Sequence, residues 1–197
     1  MHACAASRVL DLLRSGGAPE AGDKAGDEAA ILAQFADFAC ARADCCERTC
    51  LEGHFTGSAW VVSADGMRAL LLHHRKLGRW LQPGGHADGD GDLAGVALRE
   101  AEEETGLRGL TVEPGIFDLD RHRIPARGAE PGHWHYDVRF VVHANEDEAF
   151  VVSEESHALA WRPVREIADD PAIDESVRRL ARKWLARKLG SEQVNRE

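Results

Sequence analysis

The stretch Gly84-Gly85-His86-Ala87-Asp88-Gly89-Asp90-Gly91-Asp92-Leu93-Ala94-Gly95-Val96-Ala97-Leu98-Arg99-Glu100-Ala101-Glu102-Glu103-Glu104-Thr105-Gly106-Leu107 joins a glycine-rich loop to an acidic helical pattern. Asp92 suits an N-cap and Gly106 a C-terminal stop, so a helix is predicted from about Leu93 to Thr105. At about 100° per residue, Glu100, Glu103 and Glu104 share the side of Leu93, Val96 and Ala97, while Arg99 and Glu102 lie off it. Carboxylates that only need water sit opposite the apolar stripe. Three on the apolar side repel one another unless a cation lies among them. Their oxygens suit Mg²⁺ or Mn²⁺, hard ions that bridge to phosphates. The residues therefore point to a divalent-metal site holding a phosphorylated ligand; a surface acidic helix paired with nearby Lys and Arg is the plainer alternative.

These residues also carry a resemblance. The segment resembles the Nudix box, G-x5-E-x7-R-E-U-x-E-E-x-G-U with U a bulky aliphatic residue, and Gly85, Arg99, Glu100, Glu103, Glu104, Gly106 and Leu107 match it in register. Ala101 takes the first U position. Gly91 stands where the pattern has its first Glu, with Asp90 and Asp92 on either side able to supply a carboxylate. The resemblance implies a Nudix-like α/β/α sandwich with a mixed sheet. It also implies Mg²⁺- or Mn²⁺-dependent pyrophosphohydrolysis of a nucleoside diphosphate linked to another moiety. Glu100, Glu103 and Glu104 would hold the metal with the Gly84 carbonyl, and Arg99 would fix a box carboxylate by a bidentate pair. A loop acid before a Trp-containing strand often helps in this family. Glu155 is the closer match, with Glu154 in reserve; we read Glu100 mainly as a ligand and Glu155 as the base. The alternative, motivated by Gly91, is a lapsed nucleotide-binding or protein-interaction module.

Outward from the box, 197 residues suffice for one well-buried domain with an extra helical segment. The expected division is an N-terminal helical extension over 1–52, a Nudix-like domain over 53–190 and a tail over 191–197. A net charge of −10 argues against stable nucleic-acid binding and leaves a small nucleotide-type substrate as partner. No basic n-region precedes an apolar core, and no apolar run approaches membrane length, so a cytoplasmic location is expected. The five cysteines, at 4, 40, 45, 46 and 50, show no disulfide framework. Cys45, Cys46, Cys50 and His54 could form a zinc site but lack paired C-x2-C spacing, so reduced, partly buried thiols are the better reading.

Helices are expected over Ala3–Arg14 and from about Asp27, covering one side of the domain or forming a homodimer contact. Ser58–Ser63 and Met67–His74 flank Ala64-Asp65-Gly66 as a hairpin. His73, His74, Arg75, Lys76 and Arg79 then form a positive cluster that steers phosphate or is simply solvated. Leu110–Leu119 reads as an interrupted strand and Arg121–Gly132 as a polar loop. His133–His143 is the clearest strand, with Trp134, Tyr136, Val138, Phe140 and Val142 on the packed face and His135, Asp137, Arg139, Val141 and His143 on the other. Arg139 and His135 are substrate-binding candidates there, although an Arg139–Asp137 pair is an equal reading. Leu159–Val164 reads as a strand, and Asp174–Leu189 as a terminal helix docked through Ile173, Val177, Leu180 and Trp184 and ended by Gly190.

Overall fold

The computed structural model describes residues 4–16, 25–128, 131–153 and 156–194, with side chains for all of these except 25, 26 and 191–194. In chain order the elements are α1 (Ala5–Ser15), α2 (Ala25–Ala41), β1 (Gly53–Val62), β2 (Arg68–His74), β3 (Arg79–Leu81), β4 (Gly84–His86) and α3 (Leu93–Thr105). There follow β5 (Thr111–Val112), β6 (Asp118–Ile124), β7 (His133–His143), β8 (Ser156–Pro163), α4 (Val164–Asp169) and α5 (Glu175–Val194). The strands belong to one sheet in the order β3-β2-β1-β7-β5, with β4 added to β1, β6 to β7 and β8 to β2. Trp134 N–H donates to the Glu52 carbonyl and Ala144 N–H to that of Val62, a parallel offset, whereas the β2–β8 and β6–β7 ladders are antiparallel. The sheet is therefore mixed, as expected.

The chain gathers into two compact units: Met1–Ala59 with Gly84–Glu100 and Val112–Val141, and Trp60–Pro83 with Ala101–Thr111 and Val142–Glu197. In the first, β1 is buried along its whole length. Phe35 and Phe38 of α2 pack on Phe55 and Tyr136, the Phe38 and Tyr136 rings stacking at 4.0 Å. Of the two roles left open for the N-terminal helices, α2 thus takes the covering one, with Phe35, Phe38 and Ala39 buried. α1 buries Val9 and Leu13 and leaves Arg8 half exposed.

In the second unit, Ser63 N–H bonds the Arg68 carbonyl to close the expected hairpin. β2 pairs with β8 from Arg68↔Pro163 to His74↔Ser156. The terminal stripe docks as read, with Ile173 just before α5 and Val177, Leu180 and Trp184 on it buried, and the Trp184 indole N–H donating to the Gly66 carbonyl at 2.9 Å. Asp174 caps α5 by accepting from Ser176 N–H.

Three readings need correction. Residues 121–124 extend β6 rather than opening a loop, with Arg121 lying over the Trp134 ring at 3.9 Å and His122 paired with His135. An Arg/His alternation carries no apolar period, so the strand is invisible to a hydrophobicity pattern. α5 continues through Gly190 to Val194, because Gly190 does not take the left-handed angle that ends a helix. Both faces of β7 are covered, not one: Val138 to Val142 are all buried, Arg139 among them.

Candidate functional site

α3 has the predicted bounds. Asp92 accepts from Gly95 N–H at 3.2 Å, satisfying a donor that the first turn leaves orphaned, and Gly106 N–H returns to the Glu102 carbonyl. Leu93, Val96, Ala97 and Ala101 are fully buried, and the helix start lies against the β1 backbone at Gly57. The three acids differ in environment. Glu104 is buried on the apolar stripe and the Glu100 side chain is 19% exposed at its edge, whereas Glu103, read as sharing that side, is exposed to solvent.

β4 pairs Gly84 with Ser58 and Gly85 with Gly57 of β1. This ladder brings the glycine loop under α3: a Cβ on Gly85 would overlap the Glu100 carboxylate, so a larger residue there would displace that carboxylate from its seat. Arg99 touches Glu100 through one nitrogen at 3.3 Å and the His86 carbonyl at 3.5 Å, a single contact rather than the bidentate pair expected. Glu154 and Glu155 lie outside the described residues.

Gly91 also has a steric cause. Any side chain there would collide with the Ala5 carbonyl and Cα of α1. The flanking acids engage the same helix: Arg8 lies 3.5 Å from Asp90 and 3.4 Å from Asp92, and Asp90 accepts from Asp92 N–H. The box position that departs from the pattern is the position on which α1 rests.

Arg139 is 2% exposed and meets Asp137 at 2.7 Å, Asp120 at 3.2 Å and Asp118 at 3.4 Å. Burial works against its charge, but the three carboxylates, Asp137 foremost, offset this and hold its pKa above the ordinary value. Thr56 and Ser58 hydroxyls donate to Asp137. Of the two readings of Arg139, the ion pair with Asp137 is the one formed, and Asp118 and Asp120 are partners the sequence pattern did not single out.

His135 belongs to a group of imidazoles. His54 of β1, His86 of β4, His122 of β6 and His133 and His135 of β7 have ring centroids 4.8 to 5.4 Å apart in successive pairs. Burial first, then neighbouring charge from Arg48 and His54, pushes His86 down to about 4; burial and then the neighbouring histidines push His135 down to about 2. His86 and His135 therefore stay neutral at physiological pH. His54 sits not with the cysteines but with other histidines; Cys45, Cys46 and Cys50 are buried free thiols. The His133-x-His135 spacing, one face of a strand, was the only local sign.

An α/β domain whose glycine loop feeds an acidic helix is the class that fold and site define. A family model described as NUDIX domain matches residues 54–184, and the chain belongs to that family. Among relatives, it is 34% identical over 112 residues to a Mycobacterium tuberculosis protein provisionally named 8-oxo-dGTP diphosphatase 3, covering 54% of this chain and 50% of that protein. It is 38% identical over 96 residues to a Streptomyces rubellomurinus CMP-5'-(N-acetyl-N-hydroxy-3-aminopropyl)phosphonate hydrolase, covering 41% and 47%. The chain thus spans about half the length of the curated relatives it matches. A Caenorhabditis elegans Ap4A hydrolase binary complex shares the fold at TM-score 0.56 and 21% identity, over 69% of this chain and 98% of that one. No helix among the described residues is long and apolar enough to cross a membrane.

Proposed function

We propose that the protein is a metal-dependent pyrophosphohydrolase that cleaves a nucleoside diphosphate linked to another moiety. The observation that carries the reading is the Glu100 carboxylate seated against Gly85, with Glu103 and Glu104 one turn further along the same helix. The names of the relatives, a diphosphatase and a hydrolase of a CMP-linked phosphonate, support a nucleotide-type substrate.

The donor chemistry suits a hard divalent cation, since all three side chains offer carboxylate oxygens from one helix, and these would converge on the ion by side-chain rotation. Glu100, Glu103 and Glu104, with the Gly84 carbonyl, would hold Mg²⁺ or Mn²⁺; when bound, the ion would neutralise pyrophosphate charge and polarise the phosphorus under attack. Arg99 keeps Glu100 turned toward the loop, and the β1–β4 ladder keeps the loop backbone in place. Glu155 is the proposed proton acceptor at its carboxylate, because an acid not committed to a cation keeps a useful basicity. A cytoplasmic location belongs to the proposal, supported by free cysteines.

Gly91 under α1 favours a second reading, a domain that binds a nucleotide or a partner protein without turnover. A nucleotide panel assayed for Mg²⁺-dependent product release separates the two. Turnover lost at least about a hundredfold in both Glu103→Gln and Glu104→Gln supports the enzyme, on the scale of one removed electrostatic catalytic group. Binding without turnover of any member of the panel supports the module, and near-normal turnover in both variants refutes the metal assignment.

A further inference from the structure

We propose that His54, His133 and His135 form a second metal site, for a divalent transition ion of the zinc type, separate from the carboxylates of α3. Among the described residues, these three offer ligand atoms that all lie within 4.8 Å of one another. The nearest pair already has the spacing a metal needs. His133 Nε2 and His135 Nε2 stand 3.3 Å apart, in a hydrogen bond between the rings that a bound ion would replace. Two nitrogens bound at about 2.0–2.1 Å to one tetrahedral ion are separated by about 3.3–3.4 Å. Bringing in the third nitrogen closes a gap of at most 4.8 Å to about 3.4 Å.

The surroundings prepare the ligands. The Pro131 carbonyl, 3.0 Å from His133 Nδ1, can only accept, so Nδ1 carries the proton and Nε2 presents a lone pair toward His135. This is the outer contact that fixes a metal-binding imidazole. His122 is held in the same way by the Asp120 carboxylate at 3.0 Å from its Nδ1. Its ring and that of His86 flank His135, outside the group of three. His54 and His133 are 2% and 4% exposed, and every ring of the group sits on a strand, so a bound ion would tie β1 and β7 together without the ordering cost of a loop site. Neutral nitrogen donors suit Zn²⁺, Cu²⁺ or Ni²⁺ and are poor ligands for Mg²⁺, so the two sites would sort their ions by donor chemistry.

The test uses the full chain, stripped with a chelator and then titrated with Zn²⁺ or Co²⁺ in excess Mg²⁺. One equivalent of Zn²⁺ per chain is expected to survive gel filtration. Co²⁺ should give the intense visible bands of tetrahedral nitrogen ligation. Tm should rise by about 5–10 °C at a hundredfold excess over Kd. His54→Gln and His135→Gln should each weaken Zn²⁺ binding at least about tenfold, since even outer contacts of a ligand cost that much. The double variant Glu103→Gln/Glu104→Gln should retain the equivalent. Zinc lost from the Glu double variant and kept by the His variants would overturn the proposal. Should either His variant fail to fold, the wild-type Co²⁺ spectrum decides alone: weak bands of octahedral oxygen ligation, or no stoichiometric binding, overturn it.

Discussion

Arg139→Met tests whether the centre of β7 is a structural ion cluster or a substrate contact. The guanidinium is 2% exposed, and its partners Asp137, Asp118 and Asp120 are 3%, 7% and 15% exposed, so none is well placed to recover water when the arginine is removed. Methionine fills similar volume but leaves three carboxylates facing one another. Removing one partner of a buried pair costs about 3–5 kcal/mol. Two features temper the loss: Thr56 and Ser58 still donate to Asp137, and the carboxylates can take up protons. For a chain of this size about 2–4 °C of Tm accompanies each kcal/mol, so the variant should melt about 10 °C lower. Urea unfolding followed by circular dichroism measures the same quantity independently. Adding Asp137→Asn should restore part of it, a coupling of about 0.5–3 kcal/mol. A loss below about 1 kcal/mol would refute the reasoning, because it would mean that the cluster is solvated. A raised KM with unchanged Tm would point instead to the substrate role.

Gly91→Glu restores the acid of the box pattern but drives a side chain into α1 at Ala5; overpacking of this kind costs about 1–3 kcal/mol. Limited proteolysis should then cut within α1 faster than in wild type, and unchanged proteolysis with unchanged Tm would show that α1 does not rest on that loop. Asp92→Ala should lower stability by about 1 kcal/mol through loss of the α3 cap, while Asp92→Asn, which caps equally well, should fall within about 0.5 kcal/mol of wild type by denaturant titration. A large loss in Asp92→Asn would assign the weight to the Arg8 contact instead, against the usual small value of an exposed ion pair.

The box was legible because each of its signals is local. A cap at Asp92, a stop at Gly106 and buried positions a turn apart define α3 without reference to any other element, and the family match rests on the same register. The β1–β2 hairpin, β7 and the α5 stripe were legible for the same reason, since periodicity of 2 or 3.6 residues is written along the chain. Tertiary structure decided what depends on neighbours distant in sequence. Gly91 reads as a lost acid until α1 is seen to occupy its side-chain space. Arg139 reads as a possible phosphate ligand until Asp118 and Asp120, from the adjacent strand, close on it. His54, His86, His122, His133 and His135 are scattered over more than half the domain, and only strand pairing sets them side by side. The physical reason is common to all three: steric exclusion, ion pairing and metal-ligand spacing act through distances of a few ångströms between residues whose separation along the chain carries no such distance.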